Sequence, residues 1–327
     1  MRNRIYSVII LILIAGCSQN QPQEGNIKFQ ASLRFGWFTS LSFSGEVTGM
    51  KEFSSKYNLD LKCEPGSETT DPIKLVLAGS NTFGVIAADK ILAANEKGAD
   101  LIIIGCVDYP LPGAFVSKKE RHITKPKDWE GKRVGVLPGG STDYLYRVFI
   151  KKTGVDANKI TEVPIPFDLK PFINDQIDVQ PVFVFDETVT LEQKGIEYDL
   201  IEPKNYGIVF PGRCYFCKRA TIEKQPEMVQ AFINTMADGW NEALKNPEKA
   251  IKNLKEFAPE INEERELLSL MKGIPYFKGY NDKPLTSNIS DWQTMVEDLK
   301  ELGMLKSVDV STSLNFLFIN RYYSEKH

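Results

Sequence analysis

From Ile27 onward short apolar runs alternate with amphipathic segments, and this alternation restricts what the chain can fold into more than any other feature. "SLRFGWF", "LDLKCEP", "TFGVIAA" and "ADLIIIGCV" read as strands, while "GEVTGMKEFSSKYN", "DPIKLVLAG" and "ADKILAANEKG" between them read as helices. Strands that alternate with helices of roughly ten residues build crossover units and a mainly parallel sheet covered on both faces. The expected class is therefore α/β. A second cycle follows the charged passage "AFVSKKERHITKPKDWEGK", with strands in "KRVGVLPG", "KITEVPIPF", "IDVQPVFVF" and "YDLIEPKNYGIVF" and helices between them. From about Gly212 the chain turns mostly helical. In "PEMVQAFINTMADGWNEALKN", residues Val229, Phe232, Ile233, Met236, Trp240, Ala243 and Leu244 recur at spacings of three and four, the stripe of a helix buried on one face. Core packing, and not a cofactor box, is expected of it. These divisions predict two α/β lobes with a crossing near 117–124, followed by the mostly helical part.

The N-terminus reads as an export leader. Arg2 and Arg4 precede the apolar run "IYSVIILILI", which ends in Ala15-Gly16-Cys17 and then the polar "SQNQPQEGN". About 20 apolar residues are needed to span a bilayer, and this run is shorter. Residues 1–16 are expected to be a lipoprotein signal peptide, Cys17 the lipidated residue and 17–26 a polar tether. Localisation follows as periplasmic or cell-envelope, lipid-anchored to membrane. The formal charge of −3, more negative once Arg2 and Arg4 leave with the leader, argues against nucleic acid as a partner.

Five cysteines are present. Cys214 and Cys217 form a C-x-x-C spacing, expected to be packing cysteines flanking a strand, with a local disulfide as the alternative that an exported location allows. Cys63 and Cys106 lie in apolar runs and read as buried small residues. Zinc is not expected, because His122 and His327 are the only histidines to complete a set of four ligands.

Ligands of open parallel sheets bind at the carboxyl ends of the strands. Followed to their ends, the apolar runs deliver Trp37, Ser42 and Phe43, then Asn81 and Phe83, then Asp108 and Tyr109. In the second cycle they deliver Gly139, Gly140, Ser141 and Thr142, then Phe167, then Phe185, Asp186 and Glu187, with Tyr206 in the last strand region. Aromatic faces with hydroxyls and carboxylates between them suit a flat, neutral or cationic heteroaromatic molecule. A sulfonate or nitrate recruits Arg or Lys, and no strand end read this way supplies one. The "PGGST" turn pulls in the other direction, because free amides at a helix N-terminus attract negative charge. That turn lacks the Lys of a P-loop, and a serine nucleophile there has no base at hand, with His122 in the charged crossover and His327 the final residue. Gly139 and Gly140 are therefore expected to let the backbone approach a ligand, with Ser141 or Thr142 capping the helix.

The succession "DWEGKRVGVLPGGSTDYLYRVFIKKTGVD", "ITEVPIPFDLKPFINDQIDVQPVFVFDETVTLEQKGI", "NYGIVF" and "PEMVQAFINTMADGWNEALKNPEKA" resembles the SsuA/THI-type substrate-binding proteins of ABC importers, and among them the ThiY-like branch of thiamine-pyrimidine-precursor binders. The resemblance implies a periplasmic-binding-protein fold of type II: two α/β lobes joined by two crossings around a central cleft where a ligand is clamped, with C-terminal helices that rejoin the first lobe, so that the first lobe is discontinuous, residues 27–118 and 212–327, and the second is 119–211. It makes Gly139 to Thr142 a ligand-contacting segment and Trp37 an aromatic wall. Many relatives read Asn-Glu where this chain has Asp186-Glu187, so Glu187 keeps a hydrogen-bonding role while Asp186 puts a charge in place of an amide. The first-strand loop "GWFTSLSFSGEV" lacks the Pro-Asn and His of close thiamine-precursor binders.

The expected function is a lipid-anchored, monomeric receptor without cofactor or catalytic residues, which captures a small heteroaromatic solute, of the kind of a thiamine pyrimidine precursor, and presents it to an ABC permease and ATPase complex. Sulfonate, taurine or nitrate is the alternative ligand class. A pyrimidine-synthase-like enzyme and an extracytoplasmic sensor are the alternatives of other kinds; the enzyme resemblance involves histidine and lysine-bound pyridoxal phosphate, a pattern from which this histidine-poor chain departs.

Overall fold

A computed structural model describes residues 29–326. The expected leader, Cys17, the tether and His327 lie outside the described residues.

The first lobe begins with β1 (Phe29–Phe35), α1 (Ser44–Thr48), β2 (Leu59–Glu64), α2 (Pro72–Ala78), β3 (Phe83–Ala87), α3 (Ala88–Glu96) and β4 (Leu101–Cys106). The second holds β5 (Gly113–Lys118), β6 (Arg133–Val136), α4 (Ser141–Thr153), β7 (Thr161–Pro164), α5 (Lys170–Ile173), β8 (Gln180–Phe183), α6 (Glu187–Gln193) and β9 (Tyr198–Ile201). The chain then returns through β10 (Arg213–Lys218) into α7 (Arg219–Lys224), α8 (Pro226–Lys245), α9 (Pro247–Phe257), α10 (Glu263–Phe277), α11 (Ile289–Glu301), α12 (Val310–Ser313) and α13 (Leu317–Ser324).

The first sheet has the order β2-β1-β3-β10-β4. β1 is parallel to β2 and β3, and the returning β10 runs antiparallel to both β3 and β4. β4 is buried along its whole length, as its unbroken apolar sequence requires. In the second lobe β5 pairs antiparallel with β8 and β9, and β6 runs parallel to β7 and bridges toward β8 through Val134 and Val179. Each lobe is thus a largely parallel sheet with one reversed strand, and that strand is the one that follows a crossing.

The first crossing falls earlier than the sequence suggests. β5 pairs only with strands of the second sheet, so the chain changes lobe at 107–112 and not at 118–119; the apolar "GAFVSK" says strand, but nothing local says which sheet it joins. The chain crosses back at 208–212, between β9 and β10. The two crossings lie side by side, tied by Val107 N–H to Arg213 O (2.7 Å), Gly212 N–H to Asp108 O (2.9 Å) and Leu111 N–H to Phe210 O (2.6 Å).

The α8 stripe packs as expected: Val229, Phe232, Ile233, Met236, Trp240 and Ala243 are buried. α8 crosses α1 at very short range. A Cβ on Gly239 would lie 2.2 Å from Gly45 O and 2.6 Å from the Gly49 Cα, and one on Gly45 would lie 2.2 Å from the Trp240 ring. α10 leans toward the second lobe, packing Phe277 against Phe185 with ring centroids 5.1 Å apart and the planes tilted by 38°.

The cysteines depart from expectation. Cys106 on β4 and Cys214 on β10 are directly opposite in register and form a disulfide, while Cys217 and Cys63 are free and buried. Two cysteines three apart on one strand point to opposite faces, so the C-x-x-C spacing cannot close locally within β10.

Candidate functional site

The carboxyl ends of β1, β3 and β4 face those of β6, β7 and β8 across the interlobe edge, and the reversed β10 brings its amino end to the same place. Three sets of side chains meet there.

The first is aromatic. Trp37, after β1, packs against Phe167, after β7, with ring centroids 5.3 Å apart, and Phe38 adds an edge contact at 5.5 Å. Phe167 is 62% exposed and Trp37 37%, so these rings hold apolar surface at the mouth that no protein side chain covers. Gly66 seats the loop: its N–H donates to Trp37 O at 3.0 Å, and a Cβ there would come within 2.4 Å of Phe35 O.

The second set joins the N-termini of α3 and α4. Gly139 has φ 72°, which glycine adopts without strain, and its N–H donates to Asp143 Oδ2 at 3.0 Å. Gly140 is the N-cap of α4, and no side chain caps it. Ser141, expected as a cap, instead donates its hydroxyl across the cleft to Asp89 Oδ1 at 2.7 Å, and Lys90 Nζ donates to Gly139 O at 2.6 Å. Thr142 is buried behind the loop.

The third set surrounds two arginines. Arg213 forks onto Asp108, Nε to Oδ2 at 2.8 Å and Nη2 to Oδ1 at 2.7 Å, donates from Nη1 to Ser42 O at 2.8 Å, and lies over the Phe43 ring. Asp108, Ser42 and Phe43, expected to meet a ligand, therefore cradle this guanidinium, and Phe43 is buried against Phe35. Beneath them Glu46 is fully buried, accepting from Tyr215 Oη at 2.8 Å; burial pushes its carboxyl up to about 7, against the pull of Arg213 and Tyr215. On the other side Arg265 of α10 pairs with Asp186, reaches Thr190 Oγ1 at 3.3 Å and holds Glu266, which accepts from Leu41 N–H. Glu187 turns back to accept from Phe183 N–H at 2.7 Å; burial, and then the Asp186 charge, push it up to about 7.

Four expected residues lie elsewhere. Asn81 and Phe83 stand at the amino end of β3, because "LVLAGS" closes helix α2 and does not end a strand. Asn81 is held by Arg34, Ser32 and Glu64, and Phe83 stacks on Phe232 at 3.8 Å. Tyr109 anchors the first crossing to the C-terminal helices, its hydroxyl on Asp291 and its ring edge-on to Tyr280. Tyr206 packs edge-on to Phe149 of α4. Phe185 is buried between the lobes on Phe277. Sequence reasoning missed Asp89, Lys90, Arg213 and Arg265. Asp89 and Lys90 were legible as the true end of β3; Arg213 was not, since only an antiparallel strand offers its amino end to this edge.

Around this edge Glu46, Asp89, Asp108, Asp186, Glu187 and Glu266 outnumber Lys90, Arg213 and Arg265, and both arginines are spent on carboxylates. His122 lies on the outer face of the second lobe, beside a recess of about 490 Å³ lined by Lys118, Lys119 and Gly195. Among the described residues no group of three or more His, Cys, Asp or Glu is placed to hold a metal ion.

Comparison with known proteins agrees with this architecture. The 4-amino-5-hydroxymethyl-2-methylpyrimidine phosphate synthase of Legionella pneumophila is 23% identical over 304 residues, covering 91% of this chain and 93% of that protein. The riboflavin-binding protein RibY of Chloroflexus aurantiacus is 22% identical over 256 residues, 72% and 70% of the two chains. A putative sulfonate-binding protein, SsuA of Methylobacillus flagellatus, superimposes with a TM-score of 0.71 at 13% identity, over 92% of this chain and 95% of that one. The fold is that of the periplasmic binding proteins, as expected. The profile of NMT1/THI5-like proteins matches residues 48–250, and the chain belongs to that family.

Proposed function

We propose that this protein is the solute-binding component of an ABC importer, closing its lobes over a flat heteroaromatic solute of the size of a thiamine pyrimidine and releasing it unchanged to a permease. The observation that carries this reading is the exposed Trp37–Phe167 pair, one ring from each lobe, set beside an edge where acidic side chains outnumber basic ones. Ring stacking with N–H groups given to carboxylates is the chemistry such a site supplies. Arg213 and Arg265 are already paired with carboxylates, so a sulfonate would be left with Lys90, whose ammonium is held on Gly139 O. Ligand contacts on both lobes favour the closed population by their differential affinity. Lipid attachment at Cys17 would hold the receptor on the periplasmic side of a membrane.

The second reading is an enzyme, favoured by the name of the Legionella relative. Incubation with the aminopyrimidine and analysis of what is recovered separates the two. Thermal shift against a panel of pyrimidines and flavins tests the ligand class. A ligand at a hundred times its dissociation constant stabilises by about 2.7 kcal/mol, and a panel without any stabilisation rejects this class.

A further inference from the structure

Asp89 is 6% exposed, and its carboxylate is only half used. Oδ1 accepts from Ser141 Oγ, while Oδ2 has no hydrogen-bond partner. Ser141 is the first residue of α4, thirteen residues long. Among the described residues the backbone N–H groups of Ser141 and Thr142 donate to no protein atom. A buried carboxylate oxygen without a hydrogen-bond partner is expensive unless a ligand completes it. The same carboxylate stands where a free anion would be drawn, since the positive end of a helix attracts negative charge.

We propose that Asp89 is the charge-selectivity residue of the cleft: its carboxylate occupies the anion position at the start of α4 and offers Oδ2 to an N–H donor of the ligand. Oδ2 accepts from an exocyclic amine, and a neighbouring ring nitrogen accepts from a free α4 amide. An amidine-like edge, N–H beside an unprotonated ring nitrogen, is the pattern that fits both. Sulfonates and phosphates are turned away by a like charge already seated. This deepens the proposed function and rests on it for the identity of the solute, though not for the rejection of anions.

The test is Asp89→Asn, which keeps the size of the side chain and an oxygen able to accept from Ser141. Binding of 4-amino-5-hydroxymethyl-2-methylpyrimidine, of its 4-hydroxy analogue, of ethanesulfonate and of inorganic phosphate is measured by calorimetry for both proteins, with melting curves to confirm folding. The expected result is a loss of tenfold or more for the aminopyrimidine and a gain of tenfold or more for ethanesulfonate or phosphate. Unchanged ratios between the amine and the anions, within twofold, overturn the inference even when the wild type binds the aminopyrimidine as proposed. If the wild type binds no pyrimidine, the functional reading fails separately. The role of Asp89 is then decided by the anions alone, for which gained binding upholds it and no gain overturns it. If the substitution unfolds the protein, Ser141→Ala in its place frees Oδ1 as well and should weaken anion binding further while sparing the amine; stronger anion binding in that variant overturns the inference.

Discussion

Glu46→Gln offers the sharpest test of how the cleft floor is built. Glu46 is fully buried, with Oε1 accepting from Tyr215, whose hydroxyl also accepts from Trp240 Nε1 at 3.0 Å, and with Oε2 unpartnered. In the unfolded chain this carboxyl loses its proton near 4.5, whereas in the folded protein it does so only near about 7. Between those values the folded state holds the extra proton, so this contribution to stability is fully present below pH 4.5 and is lost as pH rises through about 7. At about 1.4 kcal/mol for each tenfold change in proton affinity, the loss between pH 5 and pH 8 is about 2–3 kcal/mol. The substituted amide does not titrate and still presents an oxygen to Tyr215. Urea unfolding of both proteins at pH 5, 6, 7 and 8 reads the difference directly; Glu187, raised to a similar value, is present in both and cancels. The variant should gain about 2–3 kcal/mol relative to wild type across that range. A difference that stays constant to within about 0.5 kcal/mol would show that Glu46 is already ionised in the folded protein, and the neutral carboxyl inferred beneath Arg213 would be wrong.

Three further outcomes are expected. Trp37→Ala and Phe167→Ala should each weaken binding of a heteroaromatic solute roughly tenfold without lowering the melting temperature, because both rings are exposed in the absence of solute. Dithiothreitol should destabilise the protein by about 2–4 kcal/mol, since Cys106–Cys214 closes a loop spanning 108 positions that contains the whole second lobe, and a Cys106→Ser, Cys214→Ser double variant should be indifferent to the reagent. Gly239→Ala should cost about 3 kcal/mol or more in chemical denaturation, because the new methyl meets backbone atoms of Gly45 and Gly49 that cannot step aside.

The sequence makes the local features of this molecule plain and leaves the long-range ones hidden. The alternation of apolar runs with amphipathic segments gives the layers, and the three-and-four spacing of Val229 to Ala243 gives the buried face of α8, because both periodicities are set by the backbone itself. The "PGGST" turn is legible too, as the break between a strand and a helix, although the positive φ of Gly139 is seen only in the structure. Which sheet "GAFVSK" joins, and that Cys106 faces Cys214, depend on pairings between distant segments that leave no local trace. Asn81 is misplaced when the apolar run before it is followed to its end, because that run reads as a helix and a helix end leads into the amino end of the next strand, β3. Arg213 is missed because the direction of β10 has to be known before its first residue acquires a meaning, and with it the cleft floor changes from three ligand contacts to one arginine cradled by them.

The most direct measurement is the mass and stoichiometry of the molecule recovered after saturation with 4-amino-5-hydroxymethyl-2-methylpyrimidine and washing. One unmodified pyrimidine per chain, reduced in proportion when Trp37 is replaced by Ala, is what a clamp between two lobes predicts. A phosphorylated or otherwise altered product, or retention that ignores Trp37, contradicts it.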